Sequence, residues 1–204
     1  MVRGSRAEAV YVVTEPGPLR GSWVALEPIG PPNHDEASAL MLVRRHTPML
    51  GGSSAGGHAS HVYGAPMLIR DLKTADAIGI VENSQMAGYP GVAVVLIFVD
   101  QSRARPGIAM EAFAMYLRHV FESGAQVVHL EVLESNEPVL RMLRRIGVSP
   151  QVHMREHLYV AGRFHDVLVF GIDRAQFKEI WGRYGAILPG GKRPPAALGG
   201  SRPV

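Results

Sequence analysis

The feature that most constrains this chain is an apolar strand followed closely by an amphipathic helix. Every residue of Val92–Val99 is apolar, and a strand of that kind is buried on both faces, as in the centre of a sheet that helices cover. The next segment, Pro106–Ser123, carries apolar residues at i, i+3 and i+4 spacing, and Gly124 stands where a C-terminal cap belongs. The two segments predict an α/β fold built around a buried central strand.

Shorter segments complete the predicted fold. Alternating patterns predict strands at Ala9–Val13, Trp23–Leu26, Ala77–Val81 and Val127–Leu133, and a hairpin of Leu158–Val160 with Asp166–Gly171. Helices are predicted at Glu36–Arg45 with Asp35 as cap, after Asn136, and after Asp173, whose capping box with Gln176 precedes inward-facing Phe177, Ile180 and Trp181. This order is that of a single mixed, twisted sheet with helices on both faces.

Length and composition predict one folded domain and a tail. The chain has 204 residues, 47% hydrophobic and 19% charged, which suits a single globular core and excludes a fibrous or disordered chain. We place the domain at residues 1–184, and the basic, Pro/Gly-rich residues 185–204 are predicted to be disordered. The stretch Gly51–Ser60 is open to two interpretations, a lid over a substrate cleft or a slack surface connection.

Residue types exclude or disfavour several classes of site and location. The chain has no cysteine, which excludes disulfides, zinc–thiolate sites and a cysteine nucleophile. The histidines lack a spacing typical of metal ligands, so no metal is predicted. The net charge of +3 comes largely from the basic tail, which leaves the folded part close to neutral. Because nucleic-acid-binding proteins usually have a basic face, no nucleic-acid partner is predicted. Without a signal-peptide pattern or an apolar run that could span a bilayer, we expect a cytoplasmic protein with no membrane partner.

The loop between the central strand and the strong helix is suited to an anion. It has the sequence VDQSRARPGIAMEAF, with Arg103, Arg105 and Gly107 close to the start of the helix. A helix N-terminus offers unpaired N–H groups and the positive end of the dipole, and glycine lets a ligand approach the backbone. The two arginines can add charge-assisted hydrogen bonds. The segment is either a phosphate site or an ordinary capped helix.

The same loop resembles the coenzyme A loop of the GNAT superfamily of N-acetyltransferases. In VDQSRARPGIAMEA, Gly107 and Ala109 match the fourth and sixth positions of the pattern Gln/Arg-x-x-Gly-x-Gly/Ala, and Ala104 and Pro106 occupy its first and third. This resemblance implies a GNAT-like domain with acetyl-CoA as co-substrate.

Two further stretches support the resemblance. SNEPVLRMLRRIGV is similar to the family's Asn-x-x-Ser helix, with Asn136 matching and Val139 at the serine position. Pro18–Ile29 and Arg155–Phe177 resemble the first strand and the closing hairpin of the RimJ/RimL-type enzymes. The likeness therefore covers roughly residues 18–180.

The resemblance implies roles for particular residues. Those implied to bind coenzyme A are Phe98, Val99, Arg103, Arg105, Gly107, Ile108, Ala109 and Asn136. In the family's reaction an amine attacks the thioester carbonyl, a base takes its proton and an acid protonates the leaving thiolate. Glu131 and Glu82 are candidates for the base, with ordinary solvated carboxylates as the alternative, and Tyr159 is the candidate acid. His129 shares the face of Glu131 and is a second possible base or a structural histidine.

The sequence and the resemblance are compatible with three functions. The first is transfer of an acetyl group from acetyl-CoA to a primary amine of a small molecule or a protein N-terminus. The second is transfer of a different acyl group, since the loop recognises coenzyme A and not the acyl chain. The third is a catalytically degenerate GNAT-fold protein that binds coenzyme A or acts as a scaffold. Four features favour it: Ala104, Pro106, Val139 and the acid-free strand Val92–Val99. We expect a monomer or a homodimer.

Overall fold

The computed structural model describes residues 17–45, 65–85, 89–160 and 162–184. Its strands are β1 (Leu19–Arg20), β2 (Val24–Pro28), β3 (Met67–Asp71), β4 (Ala77–Gln85), β5 (Val92–Val99), β6 (Val127–Leu133), β7 (Pro150–Val160) and β8 (Arg163–Asp173). Its α-helices are α1 (His34–Arg45), α2 (Ile108–Glu122), α3 (Glu137–Arg145) and α4 (Arg174–Tyr184). The predicted strand Ala9–Val13, the stretch Gly51–Ser60 and the predicted tail lie outside the described residues.

The described strands form one sheet in the order β1-β2-β3-β4-β5-β6-β8-β7. Neighbouring strands pair antiparallel, except for β5 and β6, which pair parallel. The apolar β5 lies inside the sheet, as a strand buried on both faces must. The prediction of a mixed α/β fold with one sheet is confirmed.

Helices cover both faces of the sheet. On the face that we call the α1 face, Ala37 and Leu40 of α1 belong to a small buried cluster with Phe98. On the opposite α2 face, α2, α3 and α4 contribute to the larger buried cluster, with Leu140 and Phe177 among its members. None of the described helices combines the length and the apolar character needed to cross a membrane.

The start of α1 differs from the prediction. A short 3-10 helix (Pro31–Asn33) leads directly into His34, so Asp35 lies in the first turn of α1 and the prediction that Asp35 is its cap is wrong. Asn33 Oδ1 instead accepts the N–H of Gly30 at 2.9 Å. The carboxylate of Asp35 still lies at the favourable end of the helix dipole.

The other helix ends lie close to their predicted positions. α2 begins at Ile108, slightly after the predicted Pro106, and the Gly124 that follows it has a φ of 113°, as a left-handed cap requires. At the start of α4, the carboxylate of Asp173 accepts the N–H of Gln176 at 2.7 Å. The predicted cap of α4 is confirmed.

Several strands differ from the prediction. β1 is missing from it, β4 and β8 extend beyond their predicted ends, and the largest differences are at β3 and β7. β3 is missing from it because MLIRD is short and has no alternation of apolar and polar residues. β7 begins at Pro150 instead of Leu158, because its first half is polar and a bulge between Met154 and Leu158 interrupts its pairing with β8. Glu156 in this bulge has a φ of 47°. Neither feature leaves a clear signature in the local sequence.

Candidate active site

β5 and β6 separate after a short parallel ladder. Among the described residues, their register pairs Val92–Val94 with Val127–His129 and goes no further. β5 nevertheless pairs with β4 as far as Val99, and β6 pairs with β8 as far as Leu133. The two strands therefore diverge towards their C-terminal ends and leave a gap in the middle of the sheet. Ligands of α/β sheets commonly bind at the C-terminal ends of strands.

Peptide groups of β5 face this gap. Alternate residues of an antiparallel strand direct both N–H and C=O to the same neighbour. Asp100 donates its N–H to the carbonyl of Ile78 at 2.8 Å, so the residues in step with it, including Phe98, bond to β4. The residues out of step turn towards β6. The pairing of Val94 with His129 still engages the N–H of Val95 in the ladder, so the residues whose peptide groups face the gap are Ile97 and Val99.

A cavity of about 210 Å³ occupies the gap. β5, β6, α2 and α3 form its walls, and most of its lining side chains are apolar. The apolar ones belong to Val95, Leu96, Ile97, Phe98, Val99, Ala109, Phe113, Leu130, Val132, Pro138, Val139 and Met142. A slot of this kind, with peptide groups along one wall, suits a slender ligand that carries amides.

Three polar residues, Gln101, Glu131 and Asn136, also line the cavity. Leu130 and Val132 belong to the cluster on the α2 face, so the side chain of Glu131 between them points to the α1 face. Asn136 is the N-cap residue of α3, although its side chain makes no capping hydrogen bond. The cavity wall thus carries one carboxylate and two amides.

The N-terminus of α2 opens beside the cavity. Its N-cap residue, Gly107, provides no side-chain cap, and the first intrahelical bond runs from the N–H of Glu111 to the carbonyl of Gly107 at 3.0 Å. The N–H groups of Ala109 and Met110 therefore have no acceptor within the helix. Ala109 itself lines the cavity. These donors and the helix dipole favour an anion at this end of α2.

Gly107 is required for a reason that the sequence does not show. Its φ is 89°, and a Cβ added to it would lie 2.7 Å from the indole of Trp23. Trp23 stands just before β2 and is 39% exposed. The positive φ and the packing of Trp23 both favour glycine here, independently of any ligand.

Glu111 fastens this part of α2 to the turn before β2. Its carboxylate accepts the N–H of Ser22 at 2.7 Å and the N–H of Trp23 at 2.9 Å. The residue is 1% exposed. Since both oxygens are engaged, Glu111 anchors the turn, and we do not consider it as a catalytic base.

Arg103 and Arg105 are engaged with the end of β3, the start of β4 and the turn between them. Arg105 donates to both oxygens of Asp71, from Nε at 2.9 Å and from Nη2 at 2.6 Å. Arg103 donates to the carbonyl of Ala77 at 3.0 Å, and its Nη2 lies 3.2 Å from Asp76 Oδ1. The hydrogen bond from Arg105 lowers the pKa of Asp71 to about 2, so this pair is ionised at neutral pH.

The cavity wall brings together five of the predicted catalytic and coenzyme A-binding residues, namely Phe98, Val99, Ala109, Glu131 and Asn136. Gly107 and Ile108 lie at the adjoining helix N-terminus, and Arg103 and Arg105 lie in the loop before it. The strand–loop–helix segment and the β6–α3 segment therefore meet, although they are separate in the sequence.

Glu82 and Tyr159 lie outside the cavity wall. Glu82 pairs with Leu96 across β4 and β5, which places it on the α1 face with Glu131 but on the far side of β5. Tyr159 is 62% exposed near the end of the β7–β8 hairpin, where its ring packs on Phe164 with centroids 5.0 Å apart. The structure separates this candidate acid from Glu131.

Val95, Ile97 and Gln101 were not singled out in the sequence. Peptide groups carry no residue-type signal, and which of them face the gap depends on where β6 leaves β5. Once the neighbouring strands are known, counting back from Val99 in steps of two identifies Ile97 and Val95. Gln101 has a weak signal, as a polar residue just after the central strand.

A cluster of possible metal ligands lies away from the cavity wall. His153 Nε2 is 2.7 Å from Asp166 Oδ2, and the ligand atoms of these residues and Glu134 lie within 4.8 Å of one another. Asp166 also accepts the N–H of Glu156 at 2.8 Å, and this bond and His153 lower the pKa of Asp166. Asp166 thereby supports the β7 bulge, and the absence of a metal stays a prediction.

Comparison with known sequences gives one partial similarity. No family model matches the chain. Over 102 residues it is 26% identical to the SPbeta prophage-derived uncharacterized N-acetyltransferase YokL of Bacillus subtilis. The match covers 50% of this chain and spans 58% of the length of that relative.

Solved structures match over a larger share of the chain. A GCN5-related N-acetyltransferase from Brucella melitensis superposes with a TM-score of 0.65 at 19% identity, covering 83% of this chain and 84% of that one. Mycobacterium smegmatis RimJ in complex with CoA-disulfide gives a TM-score of 0.60 at 22% identity, over 78% and 87%. Spermidine N-acetyltransferase from Vibrio cholerae, with CoA and spermine, gives 0.65 at 16%, over 76% and 98%.

These similarities concern architecture. The identities are low, yet the superpositions cover 83% and 78% of this chain. The expected GNAT-like architecture is thereby confirmed, while the RimJ/RimL subgroup stays a prediction. The chain has the fold of the GCN5-related N-acetyltransferases.

Proposed function

We propose that this protein is an acetyl-CoA-dependent N-acetyltransferase acting on a primary amine of a small molecule or a protein N-terminus. The observation that carries the proposal is the gap between β5 and β6, where the peptide groups of Ile97 and Val99 face a cavity beside the N-terminus of α2. Acetyl-CoA has complementary parts in the same order, a thioester on a slender amide-bearing chain and then a pyrophosphate.

Each part of acetyl-CoA has a counterpart in this arrangement. The amides of its pantetheine chain pair with the backbone of Ile97 and Val99 as an added strand would. The pyrophosphate accepts the N–H groups of Ala109 and Met110 at the start of α2. Asn136 lies on the opposite wall of the slot. RimJ of Mycobacterium smegmatis and the spermidine N-acetyltransferase of Vibrio cholerae were solved with CoA-containing ligands, which supports a coenzyme A site on this fold.

The proposed reaction is direct attack of the amine on the thioester. The neutral amine nitrogen forms a C–N bond to the acetyl carbon while the C–S bond breaks and the thiolate of coenzyme A leaves. Glu131 takes the proton that the amine loses and then returns it to the thiolate, so the products are the N-acetylated amine and the free thiol. A peptide N–H of β5, such as that of Val99, polarises the carbonyl.

Glu131 is the preferred base because of its position. It stands on the cavity wall where the two strands have separated, and its side chain points to the α1 face. Glu82 shares that face across β5 and is the second candidate. Two carboxylates on one face also suit an acceptor that is cationic in solution. The acceptor of the Vibrio cholerae enzyme, spermidine, is an amine of that kind.

The direct test supplies acetyl-CoA and a panel of small amines and peptides with free N-termini while release of thiol is followed. We expect release that depends on the acceptor and an acetylated product by mass spectrometry. Release only from other acyl-CoA donors would identify a different acyl group. Tight coenzyme A binding without any release would instead identify a degenerate binding protein, and no binding at all would refute the proposal.

Replacing Glu131 tests the assignment of the base. Glu131→Gln keeps the shape of the side chain and removes its basicity, so kcat should fall by about 10²- to 10⁴-fold with little change in the affinity for acetyl-CoA. Steady-state kinetics and calorimetry measure the two effects.

Two matched variants accompany this measurement. Glu134→Gln makes the same change at an exposed residue just past β6, outside the cavity wall, and should leave kcat within about twofold. Glu82→Gln tests the second candidate on the same face. A large fall in kcat for Glu82→Gln together with an unchanged Glu131→Gln would transfer the role to Glu82.

A further inference from the structure

The loop that leads from β5 to α2 is fastened to the turn between β3 and β4. We call residues Asp100–Gly107 the β5–α2 loop and residues Leu72–Asp76 the β3–β4 turn. Within the loop, Arg103 donates to the carbonyl of Ala77 at 3.0 Å and lies 3.2 Å from Asp76. The loop that precedes the open helix N-terminus is therefore held by side chains and does not depend on its own backbone alone.

Asp71, the last residue of β3, provides the most buried of these contacts. Its side chain is 1% exposed and binds Arg105 through both oxygens, at 2.9 Å and 2.6 Å. Asp71 Oδ1 also accepts the N–H of Lys73 at 2.7 Å. A bidentate pair with a rigid guanidinium fixes both the position and the orientation of Arg105, which an exposed ion pair would not do.

This contact is connected to the start of α2 by a second route. Leu72, next to Asp71, donates its N–H to the carbonyl of Trp23 at 2.8 Å. The indole of Trp23 in turn packs against Gly107, where an added Cβ would lie 2.7 Å from it. The end of β3, Trp23 and the β5–α2 loop thus form one connected unit that ends at the N-terminus of α2.

We propose that Asp71 is a positioning residue for coenzyme A. Acting through Arg105, it holds the β5–α2 loop so that the N–H groups of Ala109 and Met110 stay directed at the pyrophosphate. The inference rests on the proposed function. Asp71 accepts hydrogen bonds from two donors of Arg105 and balances its charge. The guanidinium of Arg105 therefore fixes the loop, and the N–H groups at the helix N-terminus bind the phosphate.

A direct role for Arg105 predicts the opposite effect of losing Asp71. If Arg105 were itself a ligand of the pyrophosphate, neutralising Asp71 would release its guanidinium, and affinity for coenzyme A would stay the same or rise. If Asp71 positions the loop, the same change lowers the affinity. The sign of the effect therefore separates the two roles.

The test is Asp71→Asn, measured with two acyl donors. The KM for acetyl-CoA and the Kd of coenzyme A by calorimetry should rise by about 10- to 100-fold, while kcat changes by less than about twofold. With acetyl-pantetheine, which lacks the pyrophosphate, kcat/KM should be unchanged. Asp76→Asn is the matched control, since it removes a half-exposed ion pair to the same loop, and it should change the KM by less than about threefold.

A second variant covers the case in which Asp71→Asn does not fold. Asp71→Glu keeps the charge that faces Arg105 but lengthens the side chain, so it should misplace the loop and show the same selective loss of affinity for coenzyme A, whereas a direct role for Arg105 predicts no loss. An unchanged or lower Kd in a folded variant, or an equal loss with acetyl-pantetheine, overturns the inference. If the wild-type protein does not bind coenzyme A, the proposed function fails as well. If it binds without turnover, calorimetry alone decides the role of Asp71.

Discussion

At the scale of the residue, Gly107 combines two structural demands at the edge of the candidate site. Its positive φ starts α2, and its missing side chain leaves room for the indole of Trp23. A bulky substitution there would disturb folding and ligand binding together. Gly107→Val is therefore a poor test of the coenzyme A site, although the sequence alone recommends it.

The two demands on Gly107 can be measured separately. Gly124 also has a positive φ, but an added Cβ there would meet no atom within 4 Å. Gly124→Ala should lower the free energy of unfolding by about 1 kcal/mol through backbone strain alone. Gly107→Ala should cost a further ~1–2 kcal/mol because its Cβ presses on Trp23. Urea denaturation measures both.

A smaller side chain at position 23 provides the control. In the Trp23→Leu background, Gly107→Ala should cost no more than Gly124→Ala does, since the close contact is gone. Equal costs for Gly107→Ala and Gly124→Ala would show that the packing of Trp23 does not restrict position 107.

At the scale of the element, the sequence predicts those strands and helices whose pattern lies within their own residues. β5 and α2 were predicted because each carries its pattern within its own residues, an apolar run and an i, i+3, i+4 stripe. β3 was missed because its place is set by pairing with β2 and β4, which lie outside MLIRD. The polar first half of β7 similarly becomes a strand through its pairing with β8.

The candidate site was predictable to a similar degree. Glu131 followed from the alternation of β6, and Gly107 and Ala109 from the coenzyme A loop that the chain resembles. The gap was not predictable, because it arises where β6 stops pairing with β5. The ion pair of Asp71 with Arg105 joins two segments that are distant in the sequence, so a residue expected to bind phosphate proves to contact an acid that the sequence does not single out.

At the scale of the whole molecule, α4 closes the larger core. Phe177 and Trp181 are buried in it, and Phe177 packs on Phe121 of α2 with ring centroids 5.0 Å apart. Arg174 at the start of α4 donates to the carbonyls of Phe121 and Ala125 at 2.6 Å and 2.7 Å. α4 therefore belongs to the folded domain and satisfies the C-terminal end of α2.

Two truncations test the proposed domain boundary. Removing residues 185–204 should leave the Tm within about 2 °C, because their Pro/Gly-rich composition is typical of a segment that adds no buried core. Removing residues 174–204 also deletes α4 and should abolish cooperative unfolding. A large fall in Tm for the shorter truncation would show that the last twenty residues pack against the domain.

The three-residue ladder between β5 and β6 has a consequence for solvent exchange of amide hydrogens. Leu96 and Phe98 bond to β4 and Val95 still bonds to β6, so their amides should exchange slowly, whereas those of Ile97 and Val99 face the gap and should exchange quickly. The expected result is a period of two in protection factors within one central strand, measurable by NMR in deuterated water. Bound coenzyme A should slow these two fast amides and remove the alternation, and uniformly slow exchange in the free protein would contradict this. The central strand thus reports occupancy of the gap without any assay of turnover.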